Sequence, residues 1–287
     1  MRRLRRGIVA FLGLALVACA AGPRGPYDWE ARLSGDRVVL LGEVHDNAEQ
    51  HRIRLAVLQR ALERGWRPAI ALEQLDHERQ PDVDRARRDR PLDAQHLIDA
   101  AVPASERRGW DWDFYRPVIE LALQHDLPLV AANLSDADAA RIVRGGDAAV
   151  FDASTRAAIG LDRPIPPSWL AAQEREVEEG HCHLLPPALL PAMARAQLTR
   201  DAVMASALRQ HAAGGVVLLA GNGHVRRDIG VPRWLGRDWQ GRVFSVAFLE
   251  DQGDAAIAAA VDAVVRTPPQ PRPDPCEALR AHPARTP

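Results

Sequence analysis

Five short apolar runs, separated by stretches of helical spacing, constrain this chain more than any other feature. They are "RVVLLGE", "PAIALEQL", "LPLVAANLS", "GVVLLAGNGH" and "GRVFSVAFLE". Runs of this length and composition read as strands buried on both faces. After the first, "NAEQHRIRLAVLQRALERG" places Ile53, Val57, Leu58 and Leu62 at helical spacing, with Asp46 or Asn47 to cap it and Gly65 to end it. Strands alternating with helices predict an α/β fold, a largely parallel sheet flanked by helices. In such sheets ligands bind outside the carboxyl ends of the strands.

The pattern changes from about residue 163 to 214. "PPSWLAAQEREVEEGHCH" and "PPALLPAMARAQLTRDAVMASALRQHAAGG" are helical without strand runs, and predict an inserted helical subdomain, or lid. "VDAVVRT" is a candidate edge strand, Ser135 a candidate helix cap, and the proline-rich tail over 271–287 is expected to be irregular. The main domain spans 36–270.

The strand ends carry the chemistry. The first run delivers Glu43 and His45, the second Glu73, the third Asn133, and the fourth Asn222 and His224. His51 follows within the first helix and can face the same edge. Glu43 alone could merely favour a helix dipole, and Gly-Asn-Gly alone could be a tight turn whose glycines take unusual backbone angles. Together they place two carboxylates, two imidazoles and two amides on one sheet edge. Burying two glutamates there needs compensation by a metal, a cationic ligand, an arginine or an imidazolium. A zinc, manganese or iron centre on Glu43, His45, Glu73 and His224 is one answer, which would make a hydrolase with a glutamate as general base, Glu43 and His45 doing the chemistry. A cleft in which histidines serve a haem is the other. No HExxH occurs, and no CxxCH, so a haem would be held non-covalently.

Composition removes other classes. All 37 basic residues are arginine, which excludes a Schiff-base lysine and a phosphate-loop lysine, and a net charge of -1 gives no sign of nucleic acid. The first 18 residues, with "MRRLRR" ahead of "GIVAFLGLALVA", read as a secretory signal peptide. "LVAC" resembles a bacterial lipobox, which implies cleavage before Cys19 and lipidation of its thiol; Ala20 in place of aspartate favours the outer membrane. A plain secretion signal is the alternative. Residues 19–35 would be the linker to the anchor. Outside the cytoplasm the remaining Cys182 and Cys276 are expected to pair, against a thiolate ligand or free thiol.

"LLGEVHDNAEQH", "ALEQLD", "WDWDFYRPVIELAL", "LVAANL", "MARAQLTRDAVMASAL" and "LLAGNGHVRRDIGVPRWL" together resemble the ChaN family of haem-binding lipoproteins, in order from about Val38 to about Cys276. The wider superfamily includes Tiki/TraB metalloprotease-like proteins and erythromycin esterases, which share an early glutamate–histidine strand end and a late Gly-x-x-His. The resemblance implies an α/β core with a helical subdomain, haem in a pocket that a homodimer would share, and haem or iron uptake at the envelope. It places the superfamily signature on Glu43, His45, Glu73 and His224. Candidate haem contacts are Tyr115, within an aromatic stretch or else a core residue; His181 and His183, which flank Cys182 and otherwise lie in a solvated loop; and Met193, otherwise a core residue. Arg226 and Arg227 are candidates for the propionates, and Gln197, Arg200 and Asp201 can turn polar groups from the lid toward the site. A metal-dependent hydrolase and a structural envelope lipoprotein are the competing functions.

Overall fold

The apolar runs become strands because this architecture buries both their faces. A computed structural model of the chain describes residues 25–35, 37–105, 107–251 and 254–281; the expected signal peptide and Cys19 lie outside the described residues. Among the described residues, six strands form one sheet: β1 (Val38–Leu41), β2 (Ala69–Asp76), β3 (Leu129–Asn133), β4 (Val216–Leu219), β5 (Val243–Glu250) and β6 (Ala263–Thr267). Their order is β3-β2-β4-β1-β5-β6, and every pairing is parallel. The expected α/β class is the one observed, with the "VDAVVRT" strand at the edge.

Alternation along the strands sorts the two faces. Val39, Leu41, Ile70, Leu72, Val217 and Leu219 enter one core with α1 (Ala48–Glu63), α2 (Gln80–Asp89), α3 (Ala94–Ala101) and α4 (Trp112–Gln124). Their neighbours Val38, Leu40, Ala71, Val216 and Leu218 enter a second core on the other face. Burying each such leucine or valine contributes about 1.5–3 kcal/mol. The α1 cap is Asn47, whose side chain accepts from the Gln50 amide at 3.1 Å, and Ser135 caps the fifth helix by accepting from Asp138 at 3.3 Å. Each cap contributes about 1 kcal/mol.

Four helices lie between β3 and β4: α5 (Asp136–Gly145), α6 (Ala153–Ile159), α7 (Pro167–Gly180) and α8 (Leu190–His211). The second half of α8 is not a lid. Met204, Ala205 and Leu208 cover the sheet, together with Val231 and Leu235 of α9 (Val231–Leu235), while Ala196, Ala202 and Val203 face α5 and α6. After β5 and the short α10 (Ala255–Ala259), the tail is more ordered than its prolines suggest. Pro275–Ala281 forms α11, tied to the end of α7 by a Cys182–Cys276 disulfide.

The order β3-β2-β4-β1 is what positions the site. It aligns the carboxyl ends that carry Asn133, Glu73, Gly221 with His224, and Glu43 with His45, side by side at one edge.

Candidate functional site

The strand ends approach so closely that Gly42 leaves no room for a side chain and Gly221 leaves little. A Cβ on Gly42 would lie 2.2 Å from Asn222 Oδ1, and one on Gly221 would lie 3.0 Å from His45 Nε2. Neither glycine has a positive φ, so close approach, and not unusual backbone angles, explains them. Asn222 itself turns away from the site. Its amide donates to the Phe248 carbonyl at 2.7 Å and accepts from the Phe248 amide at 3.1 Å, locking the β4 end to β5.

Two linked charge clusters occupy the edge. In the first, Glu43 is fully buried; its Oε1 accepts from His45 Nδ1 at 2.6 Å and from the Tyr115 hydroxyl at 2.5 Å, and its Oε2 meets the Arg54 guanidinium. Burial would raise the Glu43 carboxyl, but Arg54 and the His45 bond outweigh it and hold it at about 2. Burial alone would lower His45; its bond to Glu43 and the field of Glu73 raise it instead. His51 is neutral by contrast, lowered to about 4 by burial and by Arg54. Its Nε2–H donates to the His45 carbonyl at 2.9 Å and its Nδ1 accepts from Arg54 at 2.8 Å, while its ring stacks on Phe114. His51 therefore positions the first strand end from behind; the small cavity it lines with Arg54 and Phe114 is separate from the one lined by His45, Glu73 and His224.

In the second cluster, Glu73 Oε2 accepts from the Gly221 amide at 2.6 Å and Oε1 lies 3.2 Å from His224 Nε2. His224 Nδ1 lies 2.7 Å from Asp201 Oδ1. Burial would strip the His224 proton, but carboxylates on both ring nitrogens keep it, raising its pKa to about 10. Burial raises Asp201 to about 6 against the pull of His224. Glu73, which burial would raise, is held at about 2 by His224.

These contacts give the metal expectation no support. Among the described residues, no group of three or more His, Cys, Asp or Glu side chains is arranged to hold a metal ion. Glu43 is closed by Arg54 and Tyr115, Glu73 by Gly221 and His224, and His224 by Asp201. Glu43, His45, Glu73 and His224 do share an edge, but they compensate one another as ion pairs. The missing counter-ion is Arg54. It sits three residues after His51 and three before Val57, on the apolar face of α1, and an arginine at a core-facing position is the signal that could have found it. Asp201 enters the sequence reading only as a polar group turned toward the site.

Among the described residues, a polar and an apolar cavity near the edge bear on the haem candidates. The polar one, of about 530 Å³, is lined by His45, Glu73, Gln74, Trp110, Asn133 and His224 among others. The apolar one, of about 520 Å³, is lined by Ala139, Val143, His181, Leu184, Leu189, Met193 and Leu279 of α11. Asp136, Gln197 and Arg200 belong to both. The haem candidates divide accordingly. His181 and Met193 line the apolar cavity. His183 does not: it is exposed, with Nδ1 3.6 Å from Glu178. Tyr115 is a core residue whose hydroxyl is taken by Glu43, which with burial raises its pKa. Arg226 and Arg227 line neither cavity. Arg226 is buried and pairs with Glu176 at 2.6 Å and Asp228 at 2.8 Å, and Arg227 pairs with Asp262. Of the aromatic stretch, Trp110 reaches the polar cavity, edge-on to His45, while Trp112 is core.

A family model described as "Haem-binding uptake, Tiki superfamily, ChaN" matches residues 29–235, well over half of the chain. The chain belongs to this family. Among solved structures it resembles "Cofacial heme binding to ChaN of Campylobacter jejuni", with 21% identity, a TM-score of 0.61, and coverage of 78% of this chain and 85% of that one. The likeness extends the family's fold to this chain. More remote matches are the type III effector HopBA1, at 15% identity and TM-score 0.42 over 82% of this chain and 88% of that one, and the erythromycin esterase EreC, at 16% and 0.41 over 77% and 71%. No curated protein sequence matches the chain significantly.

Proposed function

We propose that the chain is a lipid-anchored envelope protein that binds haem non-covalently, in the service of haem or iron uptake. Membership of the haem-binding uptake family supports the ligand class. The observation that carries the reading is the apolar cavity with His181 in its wall. A cavity of about 520 Å³ lies within the usual range of small-molecule and cofactor sites, and its aliphatic walls suit a macrocycle that must be kept from water. His181 Nδ1 donates to the Val177 carbonyl at 2.7 Å. This fixes the tautomer with the lone pair on Nε2, the arrangement found in imidazoles that ligate iron. Met193 in the same wall offers a soft thioether. Haem supplies the iron and its redox chemistry; the chain supplies the dry walls and the oriented imidazole. The lipobox at Cys19 supports the anchor, and the linker would let the domain reach a partner.

Haemin titrated into purified protein, followed in the visible spectrum, tests this. The expected result is a saturable Soret shift at one haem per chain. A Soret band that never saturates, or that matches haemin in buffer alone, refutes it. Cys19→Ser is expected to move the protein from the membrane to the soluble fraction without changing the Soret titration.

A further inference from the structure

The apolar cavity has one polar wall, which it shares with the polar cavity: Asp136, Gln197 and Arg200. Arg200, on α8, is the cation of that wall. Its Nη1 donates to Asn133 Oδ1 at 3.1 Å and to the Leu134 carbonyl, and its Nη2 donates to Asp136 Oδ1 at 2.6 Å. The three acceptors are not equivalent. Asn133 and Leu134 are buried and hold the guanidinium in place from β3. The Asp136 side chain is 94% exposed against 13% for Arg200. An ion pair to so solvated a partner contributes little. Asp136 also stands at the first position of α5, where a carboxylate is favoured by the helix end, so it needs no arginine to remain there. The wall thus holds a nearly buried, pre-oriented cation whose outermost partner is easily exchanged.

We infer that Arg200 is the carboxylate anchor of the apolar cavity. An apolar macrocycle lies among Leu184, Leu189 and Met193, and the carboxylates at its edge turn to Arg200, which gives up Asp136 to receive them. Gln197 lies beside Arg200 to donate a second hydrogen bond. A planar guanidinium fork suits this task because it binds a carboxylate through two parallel bonds. The inference rests on the haem reading and adds an orientation to it: the propionate edge faces the strand ends, not Arg226 and Arg227.

The test compares haemin with its dimethyl ester, whose propionates carry no charge. Both are titrated into the full chain, wild type and Asp136→Asn, with the Soret band as readout. Haemin is expected to bind wild type at least about tenfold more tightly than the ester, a difference of about 1.4 kcal/mol. Asp136→Asn, which weakens the internal competitor, is expected to widen that preference. Arg200→Gln is expected to abolish it; since Arg200 also holds Asn133 and Leu134, the first two comparisons decide the matter without it. Equal affinities of wild type for haemin and ester overturn the inference while leaving haem binding intact. Failure of both to bind overturns the haem reading and the anchor with it.

Discussion

Replacing Arg54 with methionine removes the cation that makes Glu43 tolerable and keeps most of the packing. Glu43 is 2% exposed and held at about 2, against an ordinary 4.5. A tenfold change in proton affinity corresponds to about 1.36 kcal/mol, so the environment stabilises the ionised form by about 3 kcal/mol. That figure agrees with the about 3–5 kcal/mol lost on breaking buried ion pairs. For a domain of this size it corresponds to a melting temperature lower by roughly 6–12 °C at pH 7. The sign of Glu43's own contribution to the pH dependence changes as well. In wild type the depressed carboxyl contributes stability that is present above about pH 4.5 and is lost as pH falls through about 2. In Arg54→Met burial prevails and the carboxyl rises above its ordinary value, so stability falls as pH climbs past that value. Thermal melts by circular dichroism from pH 3 to 8 read both effects. A variant as stable as wild type at pH 7, or one whose deficit relative to wild type does not grow as pH rises through this range, refutes the ion-pair account of the strand-end cluster; the comparison is with wild type because Glu73, also held at about 2, titrates in both.

Gly42→Ala is expected to cost about 1–3 kcal/mol in urea unfolding, because its methyl would meet the Asn222 carboxamide, which two hydrogen bonds hold in place. Reducing the Cys182–Cys276 disulfide, which closes a separation of 94 residues, is expected to lower stability by about 2–4 kcal/mol. It is also expected to weaken haemin binding, since the disulfide holds Leu279 against the apolar cavity and sits next to His181; unchanged haemin affinity after reduction would contradict this. His224→Gln is expected to lose stability that wild type shows below about pH 6.5 and sheds as pH rises through about 10, measurable as a flatter alkaline limb in the melting profile. Arg227→Ala is expected to leave haemin affinity within about twofold, since its partner is Asp262 at the far side of the sheet; a larger loss in a Soret titration would return the propionates to that arginine.

The sheet was legible because a parallel, doubly covered sheet writes itself as uninterrupted apolar runs, and the carboxyl-edge rule then places Glu43, Glu73 and His224 together. The caps at Asn47 and Ser135 were legible for the same local reason. What compensates the carboxylates was not. A metal and a set of ion pairs demand similar residue types at strand ends, and only the approach of Arg54 from α1 and Asp201 from α8 separates them. Both come from helices whose rotation about their axes decides which polar residue turns inward, and α8 carries apolar residues on nearly every side. Arg226 and Arg227 looked like propionate partners from their position after His224; Asp228, two residues on, takes Arg226 locally, while the pairings with Glu176 and Asp262 depend on chain segments far away in sequence. Tyr115 illustrates the converse: an aromatic stretch suggests a porphyrin face, yet its hydroxyl is committed to Glu43.

If haem lies in the apolar cavity against His181, and not at the Glu43/His45/Glu73/His224 edge, imidazole rescue of His181→Ala will show it. The readout is the visible spectrum of the haemin complex. His181→Ala is then expected to shift the Soret and charge-transfer bands, and added imidazole to restore the wild-type spectrum, while His45→Ala leaves it unchanged. A wild-type spectrum in His181→Ala, with the loss appearing instead in His45→Ala, would contradict the placement of haem against His181.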